Sequence, residues 1–144
     1  MEWIAITGTR TVRAQDCDRL AQRLAALDVE RVTLITGACI GVDALAAAFW
    51  HRLGGRVHTI VPANRAQVDP YWAAACTTWE AMPAGTDYRA RNREMVDQAD
   101  QVLAFARYPE ADGRSRRSGT WMTVRLARKA QKLVEVHVFC SDQG

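Results

Sequence analysis

The sequence predicts an α/β domain: a mostly parallel central sheet of about five strands with helices on both faces. Three observations carry this. Aliphatic and β-branched runs alternate about five times with segments whose apolar residues recur at helical spacing, the order that parallel strands with helical crossovers require. The chain has 144 residues, 49% apolar and 24% charged, an ordinary composition for one folded domain. Three of the β-rich runs stop at glycine or proline, where loops and helix starts begin.

The first run is "WIAIT" (3–7), closed by Gly8. Cys17, Leu20, Leu24 and Leu27 then fall at helical spacing. "VTLIT" (32–36) ends at Gly37, and Val42, Leu45, Ala46, Phe49 and Leu53 share the next helical face, stopped by Gly54 and Gly55. "RVHTIV" (56–61) is closed by Pro62. The stretch 63–86 is the least readable: 69–76 suggests a short helix, and "TTWEAM" (77–82) an edge strand or a loop. A helical pattern returns from Asp87 to Ala99, and "QVLAFA" (101–106) is the fourth core strand. "RYPEADGRSRRS" (107–118) reads as a mobile surface loop. Ser118 is placed to cap a helix running to about Lys132, and "LVEVHVF" (133–139) is the last strand. One domain over 1–140 with a frayed tail at 141–144 is expected, with no linker or repeat.

Cys17, Cys39, Cys76 and Cys140 lack close pairing and the three histidines are scattered, so no metal site is expected. No apolar run approaches the ~20 residues of a bilayer span, and the N-terminus lacks the pattern of a signal peptide. A cytoplasmic protein with no membrane partner is expected. Net charge is +3, but Arg89, Arg91 and Arg93 cluster, as do Arg114, Arg116 and Arg117, which favours an anionic ligand.

In open parallel sheets, ligands bind beyond the carboxyl ends of the strands. The segments at those ends here are "GTR" (Gly8, Thr9, Arg10), "GACIGVD" (with Gly37, Ala38, Gly41 and Asp43), Pro62, and the basic loop leading to Ser118, Gly119 and Thr120. Gly41 and Gly119 would each open a helix, where free N–H groups and the dipole favour a phosphate. Hydroxyls of Thr9, Ser118 and Thr120 add donors, and Arg10 or Arg91 would grip the phosphate through a planar fork. The spacing is neither GxGxxG nor GxxxxGK[ST], which disfavours a standard dinucleotide fingerprint and a P-loop. Asp43, at a helix start, offsets the dipole or bonds a ribose hydroxyl or a site loop.

The series "TGTR", "TGACIGVDALA", "YRARNREM", "LAF" and "SGTWMTVRLA" resembles the SLOG superfamily, nearest its small YspA/YpsA-related members and more distantly DprA and the LOG-type phosphoribohydrolases. The resemblance implies a Rossmann-like fold, a nucleotide-type ligand at the strand ends, and dimers or higher homo-oligomers. It matches Arg91 and Asn92 to the superfamily's Arg-Lys pair. Against the DprA-like S-G-G-A-R-G-I-D, this chain has Thr36, Ala38, Cys39 and Ile40 in place of Ser, Gly, Ala and Arg. Against the LOG-type P-G-G-x-G-T-x-x-E, Gly119 and Thr120 match, but Arg116 and Arg117 replace the leading residues and Thr123 stands at the glutamate.

These readings give three candidate functions. The first is binding of a nucleotide or nucleotide-derived phosphorylated small molecule, as sensor, sequestering protein or carrier, with no cofactor. The second is a nucleotide N-glycosidase, in which Glu94, Asp43 or Asp87 would replace the missing glutamate. The third is a single-stranded nucleic-acid binder, with Tyr71, Trp72 and Trp79 as stacking platforms.

Overall fold

A computed structural model describes residues 1–139. Cys140 and the tail 141–144, expected to fray, lie outside the described residues. The strands are β1 (Glu2–Gly8), β2 (Val32–Thr36), β3 (Arg56–Val61), β4 (Thr78–Ala81), β5 (Gln101–Ala106) and β6 (Leu133–Val138). The helices are α1 (Ala14–Ala25), α2 (Val42–Arg52), α3 (Tyr88–Gln98) and α4 (Gly119–Lys129). The sheet therefore has six strands rather than about five, and every pairing is parallel. The additional strand is β4, within "TTWEAM"; the short helix before it is a single 3-10 turn, Trp72–Ala75. β4 escapes pattern reading because as an edge strand it buries little of either face.

The strand order is β4-β3-β2-β1-β5-β6. From β1 the chain winds outward to β4, then returns across the sheet to place β5 on the other side of β1. Helices α1 and α2 cover one face and α3 and α4 the other, which gives a doubly wound Rossmann-like fold. β1 shows how the pleat divides the core. Ile4 and Ile6 join Leu20, Leu24, Leu34, Val42, Trp50 and Phe105 on one face, and Ala5 joins Ile35, Ile60, Met95, Val102 and Leu126 on the other.

Helix starts follow local chemistry. The Asp87 side chain accepts from the Ala90 N–H at 2.9 Å, and Ser118 Oγ accepts from the Trp121 N–H at 3.2 Å. At α1, Asp16 Oδ2 accepts from the Arg13 backbone N–H at 3.0 Å, and the Asp16 N–H donates to the Arg13 carbonyl at 3.0 Å. Loop 107–118, expected to be a mobile surface loop, makes hydrogen bonds within itself and to α4. Ser115, only 4% exposed, donates from Oγ to the Pro109 carbonyl at 2.7 Å, and Trp121 Nε1 donates to the Tyr108 carbonyl at 2.9 Å. Two short polar bonds hold a segment whose composition resembles a free loop. No helix among the described residues is long and apolar enough to cross a membrane.

Candidate functional site

The winding reverses between β1 and β5, so the loops after these strands diverge and leave a crevice. A cleft of about 760 Å³ opens there. The loop after β1, the turn before α2, the first turns of α3 and α4, and loop 107–118 form its walls.

The glycines of these loops fit one loop onto another. A Cβ on Gly8 would lie 2.6 Å from the Val42 side chain, so only glycine lets α2 start against the end of β1. Gly41 adopts φ +88°, and a Cβ there would lie 2.5 Å from the Thr9 carbonyl oxygen. The Val42 N–H donates to that carbonyl at 3.1 Å. The close approach at Gly41 is thus to the β1 loop rather than directly to a ligand.

Beneath the cleft lies a buried polar cluster. Arg91 is 6% exposed and Asp43 8%. Arg91 Nε donates to Asn92 Oδ1 at 2.9 Å, Nη1 donates to the Gly37 carbonyl, and both Nη atoms lie within 3.8 Å of Cys39 Sγ. A Cβ on Gly37 would lie 2.5 Å from Arg91 Nη1, so this glycine makes room for the guanidinium. Asp43 Oδ2 accepts from the Cys39 N–H at 3.3 Å. Burial pushes the Asp43 carboxyl up to about 6, against the opposing pull of Arg91 and of the Cys39 and Gly37 N–H groups. Burial, aided by Asp43, also raises the Cys39 thiol. Arg91 therefore does not present a free fork: two of its donor directions are committed inside the protein.

Six arginines line the cleft: Arg10, Arg13, Arg91, Arg107, Arg114 and Arg117. Asp43 is the single carboxylate among the lining residues. Arg10 lies 5.7 Å from the Tyr88 ring centroid and Arg91 5.5 Å, while Arg114 packs 3.7 Å from that of Tyr108. The buried Asp16 accepts from Arg107 Nη2 at 2.9 Å and from Arg13 Nε at 3.2 Å. Its burial would raise the carboxyl, but the hydrogen bonds from Arg13 and Arg107 outweigh this and hold it below the usual range. At the cleft wall, α4 presents the Gly119–Thr120 end of its first turn. Thr120 and Thr7 are 6% and 9% exposed, and their hydroxyls have no hydrogen-bond partner among the described residues.

Of the residues expected from sequence, Gly8, Thr9, Arg10, Asp43, Arg91, Asn92, Ser118, Gly119 and Thr120 converge on the cleft. Gly37, Ala38 and Gly41 do not line it; Gly37 and Gly41 instead pack against Arg91 and the β1 loop. Pro62 follows β3, two strands from β1, and stands apart, because strand order cannot be read from a run of βα units. Glu94 also lies off the cleft, accepting from Gln98 Nε2 at 2.8 Å. Asp87 caps α3, and Thr123 Oγ1 is turned back to the Gly119 carbonyl at 3.0 Å. Arg107, Tyr88, Tyr108 and Thr7 also line the cleft, and sequence reasoning missed them. Arg107 carried a usable signal, being the first residue after a buried strand.

The fold and cleft define a doubly wound α/β protein with a cationic crevice at its switch point. No protein-family model and no curated protein matches the sequence. The structure is similar to that of DNA processing protein A from Helicobacter pylori, described with its single-stranded DNA binding mode, at TM-score 0.72 and 21% identity over 98% of this chain and 67% of that one. It is similar to DNA processing protein A from Streptococcus pneumoniae at TM-score 0.76 and 18% identity, over 99% of this chain. The chain spans 52% of the length of that protein. A third similar structure, TM1055, gives TM-score 0.64 and 20% identity over 93% of this chain and 72% of that one. These likenesses show a shared fold.

Proposed function

We propose that the cleft binds a nucleotide or nucleotide-derived phosphorylated small molecule, the phosphate resting at the N-terminus of α4. The observation that carries this is the pair of threonines, Thr7 and Thr120, on the wall of a cleft rich in arginine, whose hydroxyls have no hydrogen-bond partner among the described residues. Neither hydroxyl is among the fully buried atoms that lack a partner, so both are open to the cleft, and a helix N-terminus supplies further donors and favourable dipole charge. Tyr88 and Tyr108 offer aromatic surface beside the arginines. The sequence resemblance to the SLOG superfamily supports the same reading.

Gly119→Pro tests it. Gly119 is the first helical residue, a position that tolerates proline, and Ser118 has φ −70° and ψ 124°, which suits a following proline. A Cβ at Gly119 meets nothing within 4 Å. The substitution deletes one N–H donor and preserves the helix. Mass spectrometry of the small molecules that the denatured protein releases would identify the nucleotide to titrate. Losing a bond to a charged phosphate should cost about 1.5–3 kcal/mol, roughly 10- to 150-fold in affinity, with thermal stability retained. Unchanged calorimetric affinity would refute the assignment.

A second reading, single-stranded nucleic-acid binding, draws on the similarity to DNA processing protein A and on the exposed Tyr71 and Trp79. Trp79 lies on the edge strand β4 and Tyr71 just before the Trp72–Ala75 turn, and neither lines the cleft that holds the arginines, so charge and stacking surfaces are separate. Oligonucleotide affinity falling steeply with salt would favour this reading. A hydrolytic role would fall on Asp43, the carboxylate that lines the cleft, and release of free base from a nucleoside monophosphate would reveal it.

A further inference from the structure

The two tyrosines on the cleft wall differ in what already covers them, and the difference bears on where the base of a nucleotide lies, an inference that rests on the phosphate reading above. Arg114 packs over the Tyr108 ring with its Cζ 3.7 Å from the centroid, which is van der Waals contact. Asp112 holds that guanidinium, with Oδ1 3.0 Å from Nε and Oδ2 2.7 Å from Nη2. That face of Tyr108 is taken. At Tyr88 the guanidinium carbons of Arg91 and Arg10 stand 5.5 and 5.7 Å from the centroid, outside stacking contact. The ring is partly exposed, and its hydroxyl donates to the Asn64 carbonyl at 3.0 Å, which fixes its orientation. Tyr88 is therefore an oriented aromatic surface on the cleft wall that neither guanidinium covers.

The helices set the span. Tyr88 opens α3 and Gly119 opens α4, and the two helices pack side by side. Axes of packed helices lie about 8–10 Å apart, a gap that a ribose and its ester link bridge from phosphate to base. Arg10 supplies a second surface. It is exposed and makes no hydrogen bond or ion pair among the described residues, so its guanidinium is free to move. A base lying on Tyr88 needs about 7 Å between ring and guanidinium, two contacts of about 3.5 Å each. Arg10, at 5.7 Å, reaches that spacing by a shift of about 1 Å. Planar guanidiniums stack on aromatic faces, those of bases included. We propose that the ligand carries an aromatic base stacked between Tyr88 and Arg10, with its phosphate at the α4 N-terminus.

The test is calorimetric titration of the whole chain with AMP, GMP, CMP, UMP, ribose 5-phosphate and inorganic phosphate. Stacking on one aromatic side chain contributes roughly 5- to 150-fold in affinity. With Arg10 on the other face, at least one nucleotide should bind at least about tenfold more tightly than ribose 5-phosphate. Tyr88→Leu should narrow that ratio to under about threefold and leave ribose 5-phosphate binding within about twofold. Tyr88→Phe, which keeps the ring, should retain most of the ratio. Arg10→Gln, at an exposed residue with no hydrogen bond among the described residues, should narrow the ratio as well without endangering the fold. A ratio unchanged in Tyr88→Leu or in Arg10→Gln would overturn the stacked base. Equal affinity for nucleotides and ribose 5-phosphate in the wild type would overturn it too, while leaving the phosphate site standing. Binding of none of these probes would overturn both.

Discussion

Replacing Arg91 by methionine should be felt first as a loss of stability. The guanidinium is buried, donates to the Gly37 carbonyl and to Asn92 Oδ1, and supplies the cation beside the buried Asp43. Methionine fills much of the volume but strands both acceptors and the carboxylate. Each buried acceptor left without its donor costs about 1–3 kcal/mol, and the Asp43 carboxylate also loses its nearby cation, together much of a domain's stability of about 5–15 kcal/mol. Urea denaturation at pH 7.5 should show that loss. At pH 5 it should shrink, because a carboxyl pushed up to about 6 already carries its proton in most folded molecules and no buried anion is stranded. Arg91→Lys should recover only part of the stability, since an ammonium cannot reproduce the planar fork. Arg89→Ala and Arg93→Ala, on exposed positions of the same helix, should change it by less than about 0.5 kcal/mol. A loss at Arg91 below about 1 kcal/mol at pH 7.5, or one independent of pH, would refute the reasoning from this buried polar cluster.

Gly41→Ala should cost about 3 kcal/mol or more in the same assay, because φ +88° with ψ −132° suits glycine alone and the Cβ meets the β1 loop backbone; a wild-type midpoint would count against the interlock. Asp43→Asn should alter the pH profile in a fixed direction. The folded carboxyl titrates at about 6, above the unfolded value of about 3.9, so its stabilising contribution is present below pH ~4 and lost as pH rises through about 6. Wild-type stability minus that of the variant should therefore fall by about 2 kcal/mol between pH 4 and 7, and a flat difference would show that Asp43 titrates normally. We also propose self-association into a dimer or higher homo-oligomer, with the exposed Tyr71 and Trp79 as apolar surface available for it; sedimentation showing a monomer across the micromolar range would exclude it.

Residues differ in how much of this was legible in the sequence. The strands centred on Ile4, Leu34, Val57 and Leu103 announced themselves because buried parallel strands are continuous apolar runs. Gly41 and Asp43 were visible as a turn and a helix start, but that Gly41 is fitted to Thr9 depends on which loop lies next to which. Arg91 stood out in its motif, yet its burial was not readable: α3 has a weak apolar stripe, and nothing local distinguishes a buried arginine from its exposed neighbours Arg89 and Arg93. Pro62 and Glu94 were misplaced for a common reason, since strand order and helix rotation are tertiary facts. The internal hydrogen bonds of loop 107–118 were not readable because Ser115, which bonds the Pro109 carbonyl, carries the same letter as any loop serine.

The winding order also has a consequence for synthesis. β1 through β4 are neighbours in sequence and in space, so residues 1–81 contain the partners of one side of the sheet. β5, which covers the other edge of β1, is made roughly a hundred residues later, with Ile4 pairing to Gln101 and Thr7 to Ala104. At about 5–20 residues per second, the outer edge of an aliphatic strand stays unpaired on the ribosome for several seconds after it emerges. An unpaired apolar edge is a template for other strands, so a chain stopped before β5 should aggregate where the whole chain does not. The arrival of β5 closes that edge and sets the second wall of the cleft in the same step, so the nascent protein becomes safe from edge pairing only as its ligand site is completed.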